Sequence, residues 1–135
     1  MQSKTVRQTL ILKAFYYNGL GEAIIGLHRD NLVGPIITVG AGGVFTEVYQ
    51  DISLRPAPVT LGTAYEMIAE VKGFVGLKGY RGEAARDFEK LAQAITAISQ
   101  LSQFDQIIEA EINPLMICEN KVVMVDALIR IAARE

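Results

Sequence analysis

Two short stretches near the carboxy end carry side chains able to hold a hard metal ion. One is Glu111-Ile-Asn-Pro-Leu115, and the other is the apolar run from Val122 to Val125 that ends in Asp126. Side chains alternate along a strand, so Glu111 and Asn113 share one face while Ile112 points the other way. Glu119-Asn120 suits a two-residue turn, because Asn tolerates left-handed geometry. Such a turn pairs Cys118 with Lys121, and counting back sets Asn113 opposite Asp126. Directly opposed residues have β-carbons roughly 4.5–5.5 Å apart, near enough to share one ion. One carboxylate and one amide oxygen make an incomplete cage. That set suits Mg²⁺, which keeps waters and takes further ligands from nucleotide phosphates. On spacing alone, a surface hairpin with scattered polar residues is the plainer alternative.

The chain that must position these groups has 135 residues, the size of one modest domain, and half of them are apolar. With 21% charged residues and a net charge of −2, the composition is that of a folding sequence rather than a disordered one. Lys and Arg are scattered, which argues against a nucleic-acid binder. No apolar run reaches the ~18 residues of a membrane span, and no secretory signal is visible at the start. The single cysteine, Cys118, excludes an intramolecular disulfide framework and reads as a buried inert thiol in a reducing cytoplasm.

Thr9 to Tyr17, Glu22 to Leu27 and Val33 to Val39 read as strands. Asn18-Gly19 is the strongest hairpin signal, and Arg29-Asp30-Asn31 reads as a second turn, so an antiparallel meander is expected. Gly40-Ala-Gly-Gly43 breaks the pattern before another strand, Val44 to Tyr49. Pro56 and Pro58 make Asp51 to Val59 an extended connector. Thr60 caps a helix to about Val71, with Leu61, Ala64, Ile68 and Val71 on one stripe, although Thr63 and Glu66 have capping-box spacing one turn further in. Gly73, Gly76, Gly79 and Gly82 punctuate a loop. Glu83 to Leu101 is the surest helix, with Phe88, Leu91, Ala92, Ile95, Ile98 and Leu101 along one face. Ile107 to Asn113 and Lys121 to Ile131 complete the strands. The order predicts an α+β fold: a largely antiparallel sheet with two main helices on one face, in a single domain over residues 1–135.

An ordered set of motifs then resembles a known family. Gly21-Glu-Ala-Ile-Ile-Gly26, Arg29-Asp30, Gly34-Pro35, Gly40-Ala-Gly-Gly-Val-Phe-Thr-Glu-Val48, Asp51 and Arg55-Pro-Ala-Pro58 come first. Lys78-Gly-Tyr-Arg-Gly82, Glu111-Ile-Asn-Pro-Leu115 and Val125-Asp-Ala127 follow. Together they resemble the ATP-grasp domain of NDP-forming acyl-CoA synthetases and, more distantly, the nucleotide-binding chain of succinyl-CoA synthetase. The resemblance implies the reaction acyl-CoA + NDP + phosphate ⇌ acid + CoA + NTP, relayed through a phosphohistidine, with Mg²⁺ and ATP/ADP or GTP/GDP as cofactors. It begins partway into the family's domain. The chain is therefore expected to be the carboxy-terminal subdomain of a longer enzyme, inactive alone. Its expected partners are the first ATP-grasp subdomain and the CoA-binding and phosphohistidine domains, on the same or another subunit.

Carried over by position, the resemblance makes Asn113 and Asp126 the metal ligands. It makes Glu111 the carboxylate beside the metal or behind the relay histidine, where it would stabilise a cationic imidazole. Glu22 matches a glutamate facing the cleft. Gly40, Gly42 and Gly43 would let backbone N–H groups approach phosphate, although a plain turn needing positive φ serves equally as their reason. Arg55 offers a planar guanidinium to phosphate or carboxylate, with a structural ion pair as its alternative. Arg81 is a weaker candidate of the same kind. His28, the single histidine, sits where the family has a strand end, and is not expected to carry the phosphoryl group. Two rival readings are a regulatory nucleotide-binding module of a multidomain protein lysine acetyltransferase, and a non-catalytic interaction module prone to self-association through an apolar face.

Overall fold

The computed structural model describes residues 6–13, 21–42, 51–74, 84–118 and 121–133. These form a seven-stranded sheet whose strand pairs are all antiparallel. The strands are β1 (Val6–Lys13), β2 (Gly21–Asp30), β3 (Gly34–Ala41), β4 (Ile52–Pro56), β5 (Ile107–Ile117), β6 (Val122–Met124) and β7 (Asp126–Ala132). Their order is β1-β7-β5-β2-β3-β4, with β6 paired to β5. Helices α1 (Leu61–Glu70) and α2 (Ala84–Ser99) pack on one face, as the α+β expectation required.

The two helices exist because their apolar residues recur at helical spacing. Thr60 ends its extended stretch at φ −80°, ψ 167°, and its hydroxyl accepts the Thr63 N–H at 3.2 Å, so Thr60 rather than Thr63 is the cap. Ala64, Met67 and Ile68 are buried, while Leu61, assigned to the stripe, is exposed. On α2, Phe88, Leu91, Ala92 and Ile95 are buried and Ile98 and Leu101 pack against them. Burying an Ile or Leu side chain fully is worth roughly 1.5–3 kcal/mol, and this stripe fixes the helix on the sheet. The residues it meets alternate along the strands: Ala23, Ile25 and Leu27 on β2, Ile37 and Val39 on β3, Ala110 and Ile112 on β5. A short 3₁₀ turn, Lys72–Phe74, follows α1, and Phe74 packs edge-on against Phe88 with centroids 6.2 Å apart.

Several sequence expectations shift. The first two strands do not form a hairpin: β1 pairs with β7, and β7 and β5 lie between β1 and β2. Both neighbours of β2 are taken, by β3 and β5. Asn18-Gly19 itself lies outside the described residues. The supposed connector contains an edge strand, β4, which tolerates Pro56 at its end because only one side is paired, to β3. Ile107–Asn113 extends to Ile117, and the last strand is broken at Val125 into β6 and β7. The long helix ends at Ser99 and continues as a 3₁₀ turn, Gln100–Gln103. The strand expected at Val44–Tyr49 and most of the glycine-rich loop lie outside the described residues.

The β2–β3 hairpin is built as its sequence suggests. Asp30 Oδ1 accepts the N–H groups of Leu32 and Val33 at 2.7 and 3.0 Å, which holds the Asp30 carboxyl below its ordinary pKa. Gly34 then takes φ 86°, a conformation that L side chains rarely adopt.

Candidate functional site

The register of the last strands places the site. Leu115 pairs with Met124 across β5–β6, and Ile112 pairs with Ala127 across β5–β7. The same register therefore runs through both pairings, and it sets Asn113 opposite Asp126. The Cys118 N–H donates to the Lys121 carbonyl at 2.9 Å, the closure expected of the turn, whose own residues 119 and 120 lie outside the described set.

A local irregularity makes room at that point. Ala23 pairs with Leu115, but Ile25 pairs with Ile112, so β5 carries one extra residue against β2 at Asn113-Pro114. Such a bulge bends the strand and re-aims a side chain, and bulges recur beside active sites. Glu111 and Asn113 are exposed and Ile112 is buried, so the two polar groups share the face opposite the helices. With Asp126 they line one cleft of about 310 Å³, completed by Ile11, Ala127 and Leu128. That is at the low end of the roughly 300–1,000 Å³ of ligand pockets, enough for an ion with phosphate groups but small for a whole nucleotide. Gly26 lies beside Glu111 in register, and a β-carbon there would meet nothing within 4 Å, so the face stays open next to the carboxylate.

The donor set fits a hard divalent ion. Two carboxylates and an amide supply only oxygen ligands to one cleft, and their charge would be compensated by a cation. Among the described residues, no group of three or more His, Cys, Asp or Glu is placed to hold a metal. Asn113 and Asp126 could supply two oxygen ligands at most, and a bound ion would need others.

The other candidates fall elsewhere. Gly40 is a buried strand residue flanked by Ile24 and Ile52. Gly42 uses its N–H to donate to the Glu22 carbonyl at 2.9 Å. A β-carbon on Gly42 would lie 2.6 Å from Glu22 Cβ, so close packing against Glu22 demands this glycine. Neither a phosphate contact through its N–H nor a positive φ accounts for it. Gly43 and Arg81 lie outside the described residues. Arg55 is not brought to the cleft. Its strand, β4, is at the far edge beyond β2 and β3, and its guanidinium is tied to the Glu70 carboxylate of α1. Glu70 also accepts the Ser53 hydroxyl at 2.6 Å. This pairing holds the Glu70 carboxyl below its ordinary range, through Arg55 first and Ser53 second, and raises the Arg55 pKa. His28 is exposed on β2 and does not line the cleft. Sequence reasoning missed the apolar walls, Ile11 and Leu128. Both sit in short apolar runs that mark no particular face, and their adjacency depends on β1 lying beside β7.

The fold is shared with known proteins. A family model described as an ATP-grasp domain matches residues 2–131. The ADP-forming acetate–CoA ligase I of Archaeoglobus fulgidus is 39% identical over 110 residues, which are 81% of this chain and 16% of that protein. The beta subunit of ADP-forming acetate–CoA ligase I from Pyrococcus furiosus is 40% identical over 107 residues, 78% of this chain and 46% of that subunit. The chain thus spans about a sixth of the first relative and just under half of the second. A solved structure of the dinucleotide-forming acetyl-coenzyme A synthetase 1 of Ca. Korarchaeum cryptofilum matches with a TM-score of 0.77 and 36% identity, over 87% of this chain and 55% of that one. That protein was solved with coenzyme A and Mg-AMPPCP, its phosphohistidine segment pointing towards the nucleotide binding site.

Proposed function

Because this chain belongs to the ATP-grasp family, matched over residues 2–131, we propose that it is the magnesium–nucleotide-binding part of an NDP-forming acyl-CoA ligase. The observation that carries the reading is that Glu111, Asn113 and Asp126 line one cleft, where the registers on either side bring β5 and β7 together. The ligase interconverts acyl-CoA, NDP and phosphate with acid, CoA and NTP, and the nucleotide is ADP/ATP, as in the names of the relatives.

Asn113 and Asp126 would hold Mg²⁺ by an amide and a carboxylate oxygen. When bound, the ion supplies neutralisation of charge on the transferring phosphoryl group. Glu111 orients and stabilises the imidazole of an incoming phospho-carrier segment. Ile11 and Leu128 form apolar walls of the cleft. The sheet carries exposed Ile11 beside the cleft and exposed Ile52 and Leu54 on the far edge strand, β4. The first nucleotide-binding subdomain covers this face in the whole ligase, and the CoA-binding and phosphohistidine domains complete the reaction. No described helix is long and apolar enough to cross a membrane. A reducing cytoplasm suits the one buried thiol, Cys118.

Calorimetric titration of the full-length, assembled ligase with Mg-ADP tests the reading. Asp126→Ala is expected to weaken binding by about 10–100-fold, at least what loss of a group supporting a metal ligand costs. Undiminished affinity in the variant removes Asp126 from the site.

A further inference from the structure

Strand β2 carries a glycine in its middle that the fold does not require. Gly26 stands between Ile25 and Leu27, which are buried against the helices, so it belongs to the opposite face of the sheet, with Glu111. A glycine inside a strand is less stable there than an alanine, so it calls for a reason. Three ordinary reasons fail. Gly26 does not have the positive φ that Gly34 has. It marks no bulge, since its register is regular on both sides. Ile25, Gly26 and Leu27 pair with Ile112, Glu111 and Ala110 on β5, and with Val39, Thr38 and Ile37 on β3. Nor does it make room for a neighbour, because a β-carbon would meet nothing within 4 Å among the described residues. The reason left for a glycine inside a strand is the close approach of another group.

The surroundings of Glu111 narrow the choice of group. Glu111 lines the cleft and is the direct partner of Gly26 on β5. Its partner on β7 is Leu128, an apolar wall of the cleft. Further along β5 on the same face, the Glu109 carboxylate is engaged by Arg130 at 2.9 Å. Ile24 and His28 precede and follow Gly26 on its face of β2, so the missing side chain leaves a gap between two large ones. The gap also lies across β5 from Asp126, because β2 and β7 pair with opposite edges of β5. In phosphoryl transfer the attacking and leaving groups stand roughly in line. A nucleotide held from the Asp126 side leaves the β2 side to the nucleophile.

We propose that Gly26 is a positioning residue for the phospho-carrier segment, whose backbone lies against β2 at this gap and so brings its imidazole to Glu111. The proposal rests on the reading of Glu111 as the carboxylate that meets the carrier. In the step it serves, one imidazole nitrogen bonds to the terminal phosphorus of the nucleotide. The bond from that phosphorus to the bridging oxygen breaks, and the nucleoside diphosphate leaves. The other ring nitrogen keeps its proton and donates a hydrogen bond to Glu111, whose charge offsets that of the ring. A side chain on residue 26 lifts the segment off the sheet and draws the ring away from the carboxylate.

The test compares Gly26→Ala and Gly26→Val with the parent in the full-length, assembled ligase. The carrier histidine is phosphorylated in a single turnover from Mg-ATP and, separately, from acyl-CoA with phosphate, and Mg-ADP is titrated by calorimetry. Gly26→Val is expected to slow phosphorylation from Mg-ATP by about 10–100-fold, since a misplacement of about 1 Å can cost that much, and Gly26→Ala to slow it less. Phosphorylation from acyl-CoA and the affinity for Mg-ADP are expected to keep the parent's values, because neither uses the gap. The melting temperature of Gly26→Ala is expected to match or exceed the parent's, because alanine is the more stable strand residue where nothing crowds it. An unchanged rate from Mg-ATP in Gly26→Val overturns the proposal. So does equal slowing from both phosphoryl donors, or a loss of Mg-ADP affinity, which puts the nucleotide itself over Gly26. A lower melting temperature in Gly26→Ala makes the glycine a packing residue and overturns it as well. Gly26→Ala decides on the same outcomes if the valine variant does not fold. Glu111→Gln separates the proposal from the reading beneath it. If it slows phosphorylation from Mg-ATP while Gly26→Val does not, Glu111 keeps its role and Gly26 loses its own. If neither slows it, both fall.

Discussion

Placing an alanine at Gly42 asks why a glycine stands at the end of β3. The backbone there does not require one, because the positive φ among the described glycines belongs to Gly34. The obstacle is Glu22. An added β-carbon would sit 2.6 Å from Glu22 Cβ, 3.1 Å from Oε2 and 3.2 Å from the carbonyl carbon. The carboxylate oxygen can swing aside. The β-carbon and carbonyl cannot, because the Gly42 N–H holds that same carbonyl at 2.9 Å. Carbon atoms rest about 3.5–4.0 Å apart, so the ends of β2 and β3 must separate by roughly 1 Å. Overpacking of this kind costs about 1–3 kcal/mol. At about 2.1 cal/mol/K of unfolding entropy per residue, a loss of about 2 kcal/mol lowers the melting temperature of a chain this size by roughly 7 °C. Thermal unfolding followed by circular dichroism measures it. Because the cause is a contact, the cost must depend on Glu22. In a Glu22→Gly background, Gly42→Ala is expected to cost under about 1 kcal/mol, giving a coupling of at least about 1 kcal/mol, within the range for touching residues. Equal costs in the two backgrounds refute the contact as the reason for the glycine.

Two further outcomes follow from the hydrogen bonds. Arg29 donates from Nε to the Ile107 carbonyl at 2.8 Å, and from Nη2 to those of Ser102 and Phe104 at 3.1 and 2.7 Å. A lysine ammonium cannot span all three, so Arg29→Lys is expected to lower stability by about 1.5–3 kcal/mol in urea unfolding, and a loss below about 0.5 kcal/mol counts against the clamp. The Glu70 carboxyl is held below its ordinary value of 4.5, first by Arg55 and then by Ser53. Its contribution is therefore present above about pH 4.5 and disappears as the pH falls through the depressed value. Glu70→Gln is expected to be less stable than the parent by about 0.2–1 kcal/mol at about pH 6, the range of exposed ion pairs. Urea midpoints of the two proteins should converge as the pH falls through the depressed Glu70 value, and a gap that stays constant would show that ionisation of Glu70 is not what stabilises the pair.

Local signals in the sequence determined the parts that depend on neighbours along the chain. The Thr60 cap, the α2 stripe, the β2–β3 turn and the closure of Cys118 on Lys121 each follow from residues a few positions apart, where backbone geometry leaves little choice. The opposition of Asn113 and Asp126 belongs with them, because one tight turn sets the register of the strands beside it. Tertiary structure alone decided what crosses the sheet. A strong Asn-Gly turn signal did not make β1 and β2 partners, because strand pairing is settled by which faces bury together over the whole sheet. The place of Arg55 was equally illegible: a guanidinium is suited to phosphate and to carboxylate alike, and only the packing of α1 against β4 put Glu70 within its reach. Asp51 and Gly73 lie 22 residues apart in sequence, and their contact exists because β3, β4 and the turn after α1 converge at one corner.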